Sequence, residues 1–195
     1  MPKLDPLKVP WQISPSTPHL GVNTRSLDGV NHGFVTFMGF LGENTRLYAE
    51  HGAYCQIAVI LDCIVGVRMY PDFSPEDSAR LESYDWKSIP EYYGNDGSLG
   101  SHVKQFHEHW NATDTCPDPS AYLVCDSEWL RRLGFSSNDP SHLRFQHYLF
   151  LGNDYNIEII AKSFRWEIVP PDHVLENSEE DKAIVRQGGT GSASV

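Results

Sequence analysis

The chain has 195 residues, of which 40% are hydrophobic, and it carries a formal net charge of −11 at pH 7. This length suits one domain with a sizeable core, and the apolar content argues against wholesale disorder. The acidic balance disfavours binding to nucleic acid, because phosphate backbones are contacted by clustered lysines and arginines.

The amino-terminal part is rich in proline, which fixes extended backbone and blocks helices. We predict an arm over residues 1–32, pinned to the body by Trp11 and Ile13. Residues 33–171 are expected to form a single α+β domain, and residues 172–195 a flexible tail that is acidic and rich in glycine and serine. The prolines of the arm are Pro2, Pro6, Pro10, Pro15 and Pro18.

Two apolar runs, over residues 34–41 and 56–70, are typical of strands that are buried on both faces. Between them lie Glu43, Asn44 and Thr45 and then residues 46–54, all of which form a more polar stretch. We therefore expect a turn and an edge segment there.

Three helices are predicted in the middle of the chain. Ser74 and Pro75 suit the start of a helix that continues to about Tyr84. Apolar residues at helical spacing indicate an amphipathic helix over residues 99–112, and a third helix is expected over residues 127–133, ending before a glycine.

Residues 143–168 predict a long antiparallel hairpin, because two apolar-rich runs flank a turn at Gly152. The alternation changes phase near Lys162 and Ser163, which predicts a β-bulge. The whole pattern favours an α+β fold: a mainly antiparallel sheet with this C-terminal hairpin and two or three short helices packed on it. A mostly-β, barrel-like fold is the alternative.

Four cysteines occur without a C-x-x-C pair. Together with the absence of a long apolar run, they indicate a soluble, cytoplasmic protein with no membrane partner. The redox state of Cys116 and Cys125, which flank a short loop and could approach each other, stays open.

A cluster of histidines, His102, His107 and His109, is the sharpest candidate for a metal site. Successive residues of a helix are rotated by about 100°, so His107 and His109 point in nearly opposite directions. The spacing therefore argues against chelation, and neither a metal nor a cofactor is expected.

Residues 76–142 hold twelve acidic and five basic side chains, and they include a surplus of aromatic rings. Rings beside carboxylates suit an interface with a basic protein. We predict a non-enzymatic protein-binding module, an adaptor or a neutralising, immunity-type protein, whose oligomeric state stays open. The expected partner-binding residues are Tyr84, Asp85, Trp86, Glu91, Tyr92, Tyr93 and Asp96.

Two other functions remain open. One is a small hydrolase in which His107 or His109 works with Cys125 or a carboxylate such as Asp126. The other is a structural subunit of an assembly.

Overall fold

A computed structural model describes residues 1–17, 19–27, 29–71, 75–89, 99–135 and 144–170. Within these ranges the four helices are α1 (Arg46–His51), α2 (Pro75–Glu82), α3 (Leu99–Thr113) and α4 (Glu128–Arg132). The ten strands are β1 (Lys3–Pro6), β2 (Trp11–Ile13), β3 (Gly21–Leu27), β4 (Val30–Leu41), β5 (Tyr54–Asp62), β6 (Gly66–Pro71), β7 (Ala121–Cys125), β8 (Gln146–Leu151), β9 (Tyr155–Ala161) and β10 (Ser163–Val169).

The strands form two sheets in which every pairing is antiparallel. The first sheet has the order β1-β7-β8-β9-β6; the second has the order β10-β5-β4-β2, with β3 also paired to β4. These two sheets do not close into one barrel. The predicted α+β fold with a mainly antiparallel sheet is therefore confirmed, and the barrel-like alternative is wrong.

The main core lies between the two sheets, where alternate residues of facing strands meet. Val35 and Phe37 of β4 and Val59 of β5 come from the second sheet, whereas Tyr148 of β8 and Ile159 of β9 come from the first. The other face of β8 and β9 is also buried, because α2, the residues after it and α4 cover that face. This second, covered face is where polar residues gather.

The C-terminal hairpin is confirmed as the pair β8 and β9, but the predicted bulge after it is wrong. Ala161 ends β9 in the first sheet, and Ser163 begins β10 in the second sheet, where it pairs with Asp62 of β5. The phase of the apolar pattern reverses at Lys162 because the chain changes sheets there.

The apolar run 56–70, which predicts one strand, forms two strands that belong to different sheets. Strand β5 ends at Asp62, and Cys63 takes a positive φ of 53° before β6 joins the other sheet. Burial on both faces is also wrong for β4, in which Val35 and Phe37 are buried, Phe34 and Thr36 are partly exposed, and Met38 is exposed.

The first 27 residues take part in both sheets. Strand β1 pairs with β7, while β2 and β3 pair with β4, and Leu7 and Val9 are buried between β1 and β2. The predicted boundary of the arm, at residue 32, lies inside β4. Residues 172–195 lie outside the described residues, so the tail stays a prediction.

Helices α2, α3 and α4 lie where the sequence predicts helices. The expected turn lies at Glu43 and Asn44, but the edge segment expected from residue 46 on is wrong, because helix α1 forms there. The Thr45 side chain caps its first turn by accepting from the Tyr48 N–H, and Gly52 ends it with a φ of 80°. No helix within the described ranges is long and apolar enough to span a membrane.

Candidate functional site

A cluster of polar side chains lies on the covered face of the first sheet. His147 of β8 and Glu158 of β9 project from neighbouring strands toward α2 and α4. Between them lies a cleft of about 150 Å³. Six of its lining residues carry the chemistry described below: Arg68, Arg80, Tyr84, Ser127, His147 and Glu158.

Glu158 is the buried anion at the centre of this cleft, with only 1% of its surface exposed. The Tyr84 hydroxyl donates a hydrogen bond of 2.5 Å to Glu158 Oε1. Arg80 Nε lies 3.5 Å from the same oxygen, and Arg68 Nη1 lies 3.9 Å from Oε2. A buried carboxylate is tolerated only beside such donors and cations, so Glu158 sets the positions of three side chains from other elements.

Both arginines are also held against aromatic rings. The Cζ atom of Arg68 lies 3.8 Å from the ring centroid of Trp129 in α4, and that of Arg80 lies 2.9 Å from the ring of Tyr70 in β6. Gly66 allows the close approach of Trp129, because a Cβ at this position would lie 2.6 Å from Trp129 Cζ2. These ring contacts therefore hold both guanidinium groups in the cleft.

His147 is 3% exposed and lies between Ser127 and Glu158. Its Nδ1 is 2.8 Å from Ser127 Oγ, and its Nε2 is 3.8 Å from Glu158 Oε2. Nε2 has no hydrogen-bond partner within the described part of the chain. We assign the proton to Nε2, which faces the carboxylate, so that Nδ1 accepts from the Ser127 hydroxyl.

Burial and, after it, the charges of Arg68 and Arg80 lower the pKa of His147 to about 3. The imidazole is therefore neutral at pH 7, and its unprotonated Nδ1 is a proton acceptor beside a hydroxyl.

Ser127 is the N-cap residue of α4 and is itself buried. Its Oγ accepts a hydrogen bond of 3.0 Å from the Leu130 N–H. The same oxygen contacts His147, so one hydroxyl joins the start of α4 to the middle of β8.

The described residues that line the cleft carry a net positive charge in an acidic protein. They include Arg68, Arg80 and Arg132 and the carboxylates of Glu128 and Glu158, and Arg132 is paired with Glu128 at 2.6 Å. Because His147 is neutral, these residues together carry three positive charges and two negative ones. The remaining positive charge suits an anion.

The predicted partner-binding residues are placed as follows. Tyr84 is 6% exposed and belongs to the core, so it does not lie on an outward surface. Asp85 and Trp86 are half-buried, and the Trp86 ring packs edge-on against Tyr122. The other four, Glu91, Tyr92, Tyr93 and Asp96, lie outside the described residues, so the acidic, aromatic docking surface stays a prediction.

The structure does not bring the predicted catalytic residues together in one cavity. His107 and His109 lie on α3, whereas Cys125 and Asp126 line a second cavity, of about 330 Å³, at the end of β7. Neither histidine is among the described residues that line this cavity or the cleft. Burial and then a hydrogen bond to Asp5 raise the pKa of Cys125 to about 11, so its thiol is protonated at pH 7.

The residues that sequence reasoning missed share one signal. Glu158 stands between Ile157 and Ile159, and His147 stands in an equally apolar strand. A charged or polar residue inside a strand that is buried on both faces needs partners, and that requirement marks a site.

No three His, Cys, Asp or Glu side chains of the described ranges are grouped as metal ligands. Comparison of the chain with family models, with curated proteins and with solved structures gives no match.

Proposed function

We propose that the protein binds a small anion, with a carboxylate or phosphate group, in the cleft between the first sheet, α2 and α4. The observation that carries this proposal is the convergence of Arg68, Arg80 and Arg132 on a cleft that holds two carboxylates and a neutral histidine.

Arg68 is the residue that we expect to bind the anion. Its side chain is 40% exposed, and its 3.9 Å ion pair with Glu158 is long. A guanidinium has five N–H donors in a planar fork, so Arg68 has donors to spare for a bidentate contact with an oxyanion. Stacking on Trp129 holds the fork in place and lowers the entropy that binding would cost.

The volume of the cleft limits the size of the ligand. Pockets for drug-sized molecules hold roughly 300–1,000 Å³, whereas this cleft holds about 150 Å³. Phosphate or the end of a short carboxylic acid fits this limit.

We also propose that the protein works in the cytoplasm. The supporting observation is that Cys55, Cys63, Cys116 and Cys125 all carry free thiols, which a reducing compartment maintains.

The binding proposal is tested by calorimetric titration with inorganic phosphate and with succinate, against the neutral succinamide. We expect Arg68→Met, which keeps the apolar stem, to weaken anion binding by at least about tenfold, the loss of one charged contact. Arg165→Met is the matched control, because Arg165 is 64% exposed and lies on the second sheet. If Arg68→Met and Arg165→Met bound the anions equally well, or if the unmodified protein bound succinamide as tightly as succinate, the proposal would be contradicted.

A further inference from the structure

Ser127 and His147 lie on the wall between two cavities. Both side chains line the charged cleft, and both also line the second cavity, which is about twice as large. Three apolar side chains of that second cavity, Leu123, Leu130 and Phe135, contrast with the guanidinium groups of the cleft. A ligand that occupied both spaces would be anionic at one end, apolar at the other, and in contact with Ser127 at its middle.

We propose that Ser127 is the nucleophile that hydrolyses an ester with an anionic acyl part and an apolar alcohol part. The acyl part lies in the cleft, and the alcohol part lies in the second cavity. The anionic half of this substrate rests on the proposed function, whereas the nucleophile rests on the contact between Ser127 and His147.

In the first step, Ser127 Oγ forms a bond to the carbonyl carbon and its proton passes to His147 Nδ1. The carbonyl electron pair moves onto oxygen, where the positive charge of the cleft stabilises it. When that pair returns, the bond to the alcohol oxygen breaks and the alcohol takes the proton from His147. Water then attacks the acyl-serine with His147 as the base, which releases the acid and restores the hydroxyl.

Glu158 is a positioning residue in this scheme. Its Oε2 lies 3.8 Å from His147 Nε2, so it favours the tautomer in which Nδ1 accepts a proton, and its charge stabilises the imidazolium that forms. The hydrogen bond from Tyr84 and the ion pair with Arg80 hold the carboxylate in place.

The anion of the substrate also prepares the base. The charges of Arg68 and Arg80 are among the causes that lower the pKa of His147. An anion bound beside these arginines offsets their charge and thereby raises this pKa, which makes His147 a stronger base when substrate is present. Neutral esters lack this effect, so we expect the enzyme to prefer anionic ones.

The first experiment measures hydrolysis of the para-nitrophenyl monoester of adipic acid, with the neutral para-nitrophenyl hexanoate as the comparison substrate. We expect kcat/KM to be higher for the anionic ester, and Arg68→Met to remove this preference. Ser127→Asn should reduce hydrolysis of both esters by about 100-fold or more. The Asn side chain still caps α4, so this variant keeps the fold while it lacks the nucleophile.

Ser163→Ala is the matched control, because Ser163 is an exposed residue at the start of β10 in the second sheet, where its Oγ donates to Asp62 Oδ2 instead of contacting His147. We expect it to hydrolyse both esters at the rate of the unmodified protein.

A second experiment treats the protein with an alkyl fluorophosphonate and measures its mass. Formation of the bond from Oγ to phosphorus expels fluoride and transfers the proton to His147, so the label should lie on the peptide that contains Ser127 and be absent in Ser127→Asn. Absence of label in the unmodified protein, or hydrolysis that survives Ser127→Asn, would overturn the proposal. If phosphate still binds when either of these results is found, the proposed anion binding stands and only the nucleophile is rejected. If Ser127 is labelled but phosphate does not bind, only the anion site is rejected.

Discussion

The hydroxyl of Tyr84 and the carboxylate of Glu158 are 2.5 Å apart, although the two residues are separated by 74 positions in the chain. This bond ties the residues after α2 to the middle of β9. Burial, and after it the charge of Glu158, raise the pKa of Tyr84, so the phenol is protonated and donates throughout the physiological range.

Tyr84→Phe removes this donor and leaves a buried oxygen of Glu158 with one partner fewer. Hydrogen bonds to charged groups contribute about 1.5–3 kcal/mol, so we expect the free energy of unfolding in urea to fall by about 2 kcal/mol. Tyr155→Phe is the control, because Tyr155 is exposed and should change stability little. Equal effects of the two substitutions would contradict the role of the bond.

Stability should depend on pH through His147. The pKa of His147 is about 3 in the folded protein against 6.5 for its usual value, so the unfolded chain binds more protons between these two limits. The contribution is complete above about pH 6.5 and is lost as the pH falls toward 3.

When the pH is lowered from 7 to 4.5, we expect His147 to reduce the free energy of unfolding by on the order of 2 to 3 kcal/mol. Urea denaturation at the two pH values measures this change in the free energy of unfolding. In His147→Gln the change should be smaller by the contribution of His147, and only the contributions of the other titrating groups should remain. His109→Gln, at an exposed position of α3, should keep the full dependence. An unchanged pH dependence in His147→Gln would show that this residue is not the cause.

Gly66→Ala should disturb the site without changing any charge. The added methyl would lie 2.6 Å from Trp129 Cζ2, so the indole on which Arg68 stacks must move. We expect a loss of about 1–3 kcal/mol in stability, as in other overpacked sites, together with weaker phosphate binding. Adding Trp129→Leu should recover part of the stability but not the binding; recovery of both would contradict the stacking role of Trp129.

The reactivity of the Cys125 thiol should respond to Asp5. The pKa of Cys125 is about 11, with burial as the larger cause and the Asp5 carboxylate as the next. Alkylation by iodoacetamide at pH 8 should therefore be slow, and Asp5→Asn should speed it severalfold because a negative neighbour is removed. Cys125→Ser identifies the labelled peptide. Asp126→Asn serves as the comparison and should have a smaller effect, since Asp126 contributes least to the raised pKa.

Local features of the sequence predicted local structure well. Ser127 predicts the cap of α4 and Gly134, with a φ of 80°, its end. The alternation around Gly152 predicts the hairpin, because these signals depend only on neighbouring residues. The reversal of the pattern at Lys162 predicts a bulge, whereas the chain changes sheets there, because a pattern of period two does not say which strand will be the partner.

The site was harder to predict for the same reason. Glu158 is visible in the sequence as a charge in an apolar strand, but its partners Tyr84 and Arg80 come from residues more than seventy positions earlier. The aromatic and acidic composition of residues 76–142 suggested a surface, yet a tyrosine packs equally well inside when its hydroxyl has an acceptor. Composition does not tell whether a tyrosine lies on the surface or in the core, and Tyr84 lies in the core.

The pairing of β1 with β7 has a consequence for how the chain is made. Lys3 pairs with Cys125, so β1 leaves the ribosome more than a hundred residues before the strand that becomes its neighbour. During that time Leu4 and Leu7, which are buried in the finished protein, remain without their final contacts. Completion of the first sheet is therefore a late event in biogenesis, because it depends on contacts between residues far apart in the chain.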